Sequence, residues 1–337
     1  MTLLFMDGFA LGTSKWIVDT PGDTIIGTTT PRITNGCYLS SDAGVPIEVN
    51  RGFTASDEVF IGFAIRLSSG TTDFAAYIKG DGGATTHLVI RRNVAGFIEV
   101  RRGTIAGTVL GTGATAISDD AWWYVEVRAT IDDVGLCQVR LNGAGTNEID
   151  YTGDTKNGGT NYTADCLGFS YVDNSRITDV YILNALGILS RFEWLGDVAV
   201  RTSRPTGDGT TSQLVGSDAD SVDNWALVNE DPLSSAEYVG SATLGEKDTY
   251  TMADLPAGIT AIYGVAWNGF VAKSDAGAIS AAPVIRFGGI DYVGDSLTLP
   301  TDYAIQQVIY EVEPLEDSGW WTLAGVNNLE AGIQVAS

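Results

Sequence analysis

His87 is the only histidine in 337 residues, so any acid–base or nucleophilic chemistry that needs an imidazole must be built on it. It sits in His87-Leu88-Val89-Ile90-Arg91-Arg92, an alternating run that reads as a strand. A base also needs a positioned partner, and a histidine between apolar strand neighbours reads as a packed or solvated sheet residue. The least poor pair of carboxylates for glycoside hydrolysis is Glu99 and Glu126, both inside strand patterns. Each stands two residues from an arginine, Arg101 and Arg128, so cross-strand ion pairing on a solvated face accounts for them more simply. There is no Gly-x-Ser-x-Gly elbow and no phosphate-cradling Gly-Lys-Ser/Thr run, and Gly80-Asp81-Gly82-Gly83 reads as a turn between strands. No residue is assigned to catalysis and no cofactor is required.

Oxygen ligands for a hard cation such as Ca2+ occur at Asp132-Asp133, at Asp173-Asn174 and in the loop Asp218-Ala219-Asp220-Ser221-Val222-Asp223-Asn224. The last is the best single candidate, with Asp218, Asp220 and Asp223 as ligands. The competing reading is that Asp and Asn fill turns because they cap their own backbone, and it carries more weight here. Aromatic pairs at Trp122-Trp123 and Trp320-Trp321 each place one ring inward and one outward if they lie on strands. The outward ring then serves a sugar platform or a subunit contact.

The elements that must hold these residues are nearly all strands. Glu58–Leu67, Phe74–Ile78, His87–Arg92, Phe97–Arg102 and Thr108–Leu110 alternate and are separated by Gly, Asn and Asp clusters, which argues for an antiparallel sandwich. Ser118–Arg128, a turn leading into an alternating strand, Leu136–Leu141 followed by Asn142-Gly143, and Asp173–Leu183 follow. A break falls over Leu183–Ser190, after which Phe192–Val200 begins a new alternation. Residues 210–235 are rich in Ser, Asp, Asn and Gly and read as a long ordered loop anchored by Trp225. Beyond it the strand candidates include Thr249–Met252, a long Ile259–Lys273 bending at Gly264, Ala282–Phe287 and Ala304–Val312, with Asp275-Ala276-Gly277 as a turn. A last strand follows Trp320-Trp321. The fold class is therefore all-β, two antiparallel β-sandwich (jelly-roll) domains, over residues 1–190 and 191–337.

Composition limits the partners. The formal net charge of −23 disfavours nucleic acid and anionic lipid, because both are negative. Three cysteines at wide spacing, Cys37, Cys137 and Cys166, form neither a disulfide framework nor a metal set and read as small buried apolar residues, although one pair could bridge. The start Met1–Asp7 lacks a basic segment and an apolar core, and no apolar run is long enough to span a bilayer, so no export signal and no membrane insertion are expected.

The order of the Trp-rich strand, the Leu141-Asn142-Gly143 strand end and the closing Asp179-Val180-Tyr181-Ile182 strand resembles the concanavalin A-like/laminin-G jelly rolls over residues 1–187. The whole arrangement resembles a family of tailed-bacteriophage virion proteins. Two elements carry that likeness: Arg204-Pro205-Thr206-Gly207-Asp208-Gly209 after the first sandwich, and Gly325-Val326-Asn327-Asn328-Leu329-Glu330-Ala331-Gly332 near the end. Ser175-Arg176-Ile177-Thr178 departs from it, since an acidic residue is more usual there. The resemblance implies a non-enzymatic structural protein of the virion, made in the bacterial host cytoplasm and displayed as a tail or fibre component or a capsid decoration. The expected partners are other virion proteins, copies of itself in a closed homotrimer, and a host-surface glycan. The alternatives are a carbohydrate-binding lectin-like module and, more remotely, a glycoside hydrolase.

Overall fold

The computed structural model describes residues 2–19, 24–41, 47–69, 74–171, 175–185, 194–274, 277–314 and 319–336. The chain divides into two compact units, Met1–Val200 and Arg201–Ser337. Both are built almost wholly of strands, and no helix among the described residues is long and apolar enough to cross a membrane.

The first unit runs β1 (Thr2–Asp7), β2 (Ile17–Val18), β3 (Thr24–Gly27), β4 (Tyr38–Ser41), β5 (Ile47–Ser56), β6 (Glu58–Arg66), β7 (Ala75–Gly80) and β8 (Thr85–Arg92). It continues with β9 (Phe97–Arg102), β10 (Thr108–Ala116), β11 (Trp122–Thr130), β12 (Gly135–Leu141), β13 (Ile149–Gly153), β14 (Ala164–Tyr171) and β15 (Arg176–Asn184). One antiparallel sheet has the order β13-β12-β11-β6-β15-β4-β3, with β1 paired to β15; the other has the order β10-β9-β8-β7-β14-β5-β2. The opening strand thus pairs with the closing one, Phe5 facing Ile182 and Asp7 facing Val180.

Alternation decides which face of each strand is dry. On β12, Cys137, Val139 and Leu141 enter the core while Gln138 and Arg140 face out. On β8 and β9, Leu88, Ile90, Ile98 and Val100 point between the sheets. An aromatic cluster fills the middle: Phe63 meets Phe169 edge-on with ring centroids 5.1 Å apart, and Phe5 meets Trp16 edge-on at 5.4 Å. Cys137 lies fully buried in the same core, where the loss of solvent pushes its thiol up to about 12. All three cysteines are free.

Residues 194–200 do not start a new strand. They lie on the outer face of the β11-containing sheet. Trp194 stacks edge-on against Phe60 at 5.8 Å and under the Arg140 guanidinium at 4.2 Å. The backbone N–H of Val200 donates to the Asp179 carboxylate at 2.7 Å. Asp179 has a positive φ of 53° at a register shift between β15 and β6, a conformation that Asp tolerates better than most residues. The bulge turns its carboxylate to Arg32 and to this covering segment.

Gly62 on β6 has no room for a side chain, because a Cβ there enters the ring of Tyr181 on β15. Gly62→Ala is expected to cost about 1–3 kcal/mol through this overpacking, read as a lower denaturant midpoint at unchanged slope.

The second unit holds β16 (Pro205–Ser212), β17 (Val215–Gly216), β18 (Val239–Gly240), β19 (Lys247–Met252), β20 (Val265–Val271), β21 (Ser280–Phe287), β22 (Ile290–Val293), β23 (Leu297–Thr298), β24 (Ala304–Tyr310), the short helix α1 (Leu323–Asn327) and β25 (Glu330–Ala336). Its main sheet is ordered β16-β19-β25-β21-β22, with β23 on β21. A separate two-stranded antiparallel sheet, β20–β24, packs Trp267 and Val271 against Ala281 and Leu299. Trp321 is buried with Ile285 and Leu329, and its indole N–H donates to the Tyr310 carbonyl at 2.7 Å.

Two sequence expectations change here. The long strand over Ile259–Lys273 is only β20, since residues 257–264 are turn and coil. The 210–235 loop is not anchored by Trp225, which is half-buried; its buried members include Leu214 and the neighbouring Asn224. The Asn224 amide donates to the Leu214 carbonyl at 3.0 Å and to the Asp248 carboxylate at 2.6 Å. A polar anchor of this kind leaves no hydrophobic signature to read. The expected break at Leu186–Ser190, the start of the alternation at Phe192-Glu193 and the turn residues Asp275-Ala276 lie outside the described residues.

Candidate functional surface

The residues singled out from sequence do not meet at one place. Glu99 is on the outer face of the β9-containing sheet, and Glu126 on the outer face of the β11-containing sheet, so the hydrophobic core lies between them. They cannot act as a pair on one glycosidic bond, which needs carboxyl groups within about 10 Å across a shared cleft. Glu99 accepts from Arg101 at 2.5 Å, the ion pair expected for it. Glu126 differs from expectation. Arg128 pairs with Glu58 at 2.7 Å instead. Glu126 is 1% exposed and accepts from the Tyr181 hydroxyl at 2.7 Å and from Gly196 N–H at 2.8 Å. Its second oxygen is buried with no hydrogen-bond partner. The segment that covers it was not foreseeable from strand alternation.

His87 is fully buried. Its Nδ1 accepts from the Asn157 backbone N–H at 3.2 Å, so the ring is neutral with its proton on Nε2. Burial lowers its pKa below the usual histidine value, against the opposing pull of Asp81, Thr163 and Asp165. The sign follows from linkage: an unfolded chain binds a proton that the folded chain refuses, so this group favours folding at high pH. Stability is expected to be level above about pH 6.5, the unfolded value, and to fall as pH drops below it. His87→Gln keeps an acceptor but cannot titrate. Thermal melts should show a shallower decline for the variant than for the wild type below about pH 6.5.

Beside this histidine the turns 81–86, 103–104 and 157–159 enclose an open depression of about 430 Å³. Its polar lining includes Asp81, Thr85, Thr86, Thr104 and Asn157. Asp81 is occupied by its neighbours, accepting from Asn161 at 2.8 Å and from the Thr85 hydroxyl at 2.6 Å.

The outer face of the β7–β8–β9 sheet gathers most of the chemistry-bearing side chains. Register places Asn50, Gly168, Tyr77, Val89 and Arg101 in one row across β5, β14, β7, β8 and β9. The next row is Glu48, Ser170, Ala75, Arg91 and Glu99. Lys79 projects from the same face. Its Nζ lies against Glu48, 2.9 Å from Asn50 Oδ1 and 5.2 Å from the centre of the Tyr77 ring. Burial raises the Tyr77 pKa, with Glu48 adding to it while Ser170 and Arg91 oppose. Each cation described on this face therefore has an oxygen partner. The arrangement presents a polar, structurally fixed surface of hydroxyl, amide and charged groups. Sequence reading passed over Glu48, Asn50, Tyr77 and Lys79. The i, i+2 spacing of Glu48 and Asn50 on one strand was the available signal, whereas Lys79 is 29 positions from Asn50 and carried none.

The candidate cation ligands stay apart. Asp218 Oδ1 accepts from Asp220 N–H at 3.4 Å and Asp220 Oδ1 from Val222 N–H at 2.9 Å, the self-capping use of turn carboxylates. Asp223 gives its own N–H to Asp208 at 2.9 Å. Asp132 caps Val134 at 2.9 Å, and Asp133 pairs with Lys156 at 3.0 Å. Among the described residues no group of three or more potential ligands converges. Asp173 and Asn174 lie outside the described residues. Of the Trp pairs, Trp123 packs on the core and donates to the Ser118 hydroxyl at 3.3 Å, while Trp122 turns to Tyr38 with ring centroids 6.3 Å apart. Trp320 is partly exposed beside the buried Trp321.

No protein-family model and no curated protein matches the sequence. Solved structures align with just over half of the chain at low similarity. The alginate lyase of polysaccharide lyase family 14 from Aplysia kurodai has 11% identity and a TM-score of 0.42, over 55% of this chain and 100% of that one. The endo-β-1,4-glucuronan lyase from the fungus Trichoderma reesei has 14% identity and a TM-score of 0.41, over 55% and 96%. A carbohydrate esterase of the Shiga toxin-encoding bacteriophage phi24B has 15% identity and a TM-score of 0.40, over 55% and 99%. A sialidase also aligns, and there the chain spans only 19% of that protein's length.

Proposed function

We propose that this chain is a non-enzymatic structural protein of a bacteriophage particle, displayed at the surface as a tail, fibre or decoration component, which works by contact. Its partners are other virion proteins, further copies of itself in a trimer, and a host-surface glycan. The observation that carries the reading is the state of the charged groups on the outer face of the β7–β8–β9 sheet. Lys79 is bound to Glu48 and Asn50, and Arg101 to Glu99, so these groups are spent on fixing the surface rather than poised on a substrate. A preorganised face of this kind suits recognition, because little side-chain freedom is lost on binding. The sequence resemblance supplies the setting. The wide acidity of the chain fits a particle surface that must stay soluble at high copy number.

The test is localisation. Purified particles, analysed by mass spectrometry and cryo-electron microscopy, should contain the chain in stoichiometric amount as an all-β density on the outside. Its absence from particles that are otherwise complete contradicts the proposal.

A further inference from the structure

Lys79, Asn50 and Glu48, which hold the outer face in place, also stand to one another as an amine, an amide and a shared carboxylate. Asn50 and Lys79 belong to β5 and β7, which are separated by β14. They meet over Gly168 of that middle strand. A Cβ on Gly168 would stand 2.6 Å from Asn50 Oδ1 and 3.1 Å from Lys79 Cε, so only glycine lets the two side chains close over it. Lys79 Nζ is 2.9 Å from Asn50 Oδ1. The electrophilic Cγ is one C=O bond, about 1.2 Å, from that oxygen. A single carboxylate oxygen, Glu48 Oε1, touches both reactants: it takes a hydrogen bond from Asn50 Nδ2 at 3.2 Å and pairs with Lys79 Nζ. Lys79 is 8% exposed and its ammonium also lies by the Tyr77 ring, so water has little access to the nitrogen.

We propose that Lys79 and Asn50 join through an intramolecular isopeptide bond, with Glu48 as the proton carrier. Glu48 takes a proton from the Lys79 ammonium, and the freed lone pair on Nζ attacks Asn50 Cγ. The C=O electrons move to Oδ1 and then return as the C–N bond to Nδ2 breaks. Nδ2 takes the proton held by Glu48 and, with the second proton shed by Nζ through the same carboxylate, leaves as ammonium. One N–C bond replaces another, no oxidant or reductant takes part, and Glu48 ends as it began. The product ties β5 to β7 across β14, so these strands can no longer be sheared apart. The reaction needs only proximity and a shared acid–base group, the conditions under which amide exchange becomes effectively unimolecular.

Intact-mass spectrometry of the purified full-length chain, fresh and after prolonged incubation in the folded state, tests this. The expected mass is lower than that of the sequence by one ammonia, and digestion should yield a branched peptide joining the segments that carry Asn50 and Lys79. Glu48→Gln and Lys79→Arg, each shown folded by circular dichroism, should keep the full mass and melt at a lower temperature than the linked wild type. Wild-type chain that retains its full mass after incubation overturns the proposal. So does an ammonia deficit without the branched peptide, or one that persists in Glu48→Gln, since succinimide formation at an Asn-Gly step gives the same loss. Because the wild-type mass is read directly, a variant that fails to fold does not protect the proposal.

Discussion

Replacing Asp248 by Ala should unfold the second unit at markedly lower denaturant, by about 2–5 kcal/mol, the cost of leaving buried hydrogen-bond donors without their acceptor. Asp248 is fully buried on β19. One oxygen accepts from the backbone N–H groups of Gln213 at 2.6 Å and Leu214 at 2.8 Å, the other from Asn224 at 2.6 Å and the Tyr250 hydroxyl at 3.1 Å. Alanine takes this acceptor from the Leu214 N–H and the buried Tyr250 hydroxyl, each at a cost of about 1–3 kcal/mol before relaxation, while the Gln213 N–H keeps the Lys247 carbonyl and the Asn224 amide keeps the Leu214 carbonyl. Burial and the nearby Asp248 charge also hold the Tyr250 phenol well above its usual pKa. Asp248→Asn is the sharper control. Its amide oxygen can still receive the two backbone groups, and its NH2 can donate to Asn224 Oδ1, a buried acceptor without a partner in the wild type. Its loss should be clearly smaller than that of the alanine. Equal losses in the two variants, measured by urea denaturation, would show that the packing volume of the side chain matters and the hydrogen bonds do not.

The second large effect is expected at Asp7, in the first unit. Asp7 is 1% exposed at the end of β1, where it forms an ion pair with Lys15 at 2.6 Å. It also accepts from the Phe9 backbone at 3.0 Å and from the Trp16 indole at 2.8 Å. Asp7→Ala strands the Lys15 ammonium, itself 8% exposed, and frees the indole, so the loss should be about 3–5 kcal/mol. Trp16 is stacked on Phe9 at 5.6 Å and touches the core through Phe5 and Phe169, so the site is continuous with the core of the first unit. The double variant Asp7→Ala/Lys15→Met removes both charges and should recover part of the stability, as a buried pair replaced by apolar groups commonly does. No recovery would mean that the bonds to Phe9 and Trp16, and not the ion pair, carry the effect.

These two carboxylates also show where the sequence is readable. The strands of the first unit follow from period-two alternation, because one face of nearly every strand is dry; β8, β9, β11 and β12 fall where Leu88–Ile90, Ile98–Val100, Val125–Val127 and Cys137–Leu141 alternate. The two elements after the first sandwich and near the end, 204–209 and 325–332, have physical roles. Pro205 opens the edge strand β16, where its missing N–H costs no ladder bond. Asp208 caps the turn at Asp223 and Trp225, at 2.9 and 3.1 Å. Asn327 closes on Leu255 with a bond of 2.9 Å, and Glu330 takes the Thr210 hydroxyl at 2.6 Å. What alternation cannot reveal is polar anchoring between distant segments. Asn224 with Asp248, Asp179 with Arg32 and Val200, and Lys79 with Asn50 depend on which strands become neighbours, and no local pattern encodes that. For the same reason Glu126 reads as a surface residue and turns out to lie beneath residues 194–200.

The proposed role of this chain is contact without catalysis. The most direct measurement is to incubate the pure, full-length protein with a panel of neutral and acidic polysaccharides and to follow both retention on the polymer and release of reducing or unsaturated ends. Contact function predicts no product with any polymer, whether or not the protein is retained. Product that accumulates with time and disappears in Glu99→Gln or Tyr77→Phe, with the fold intact, would contradict it.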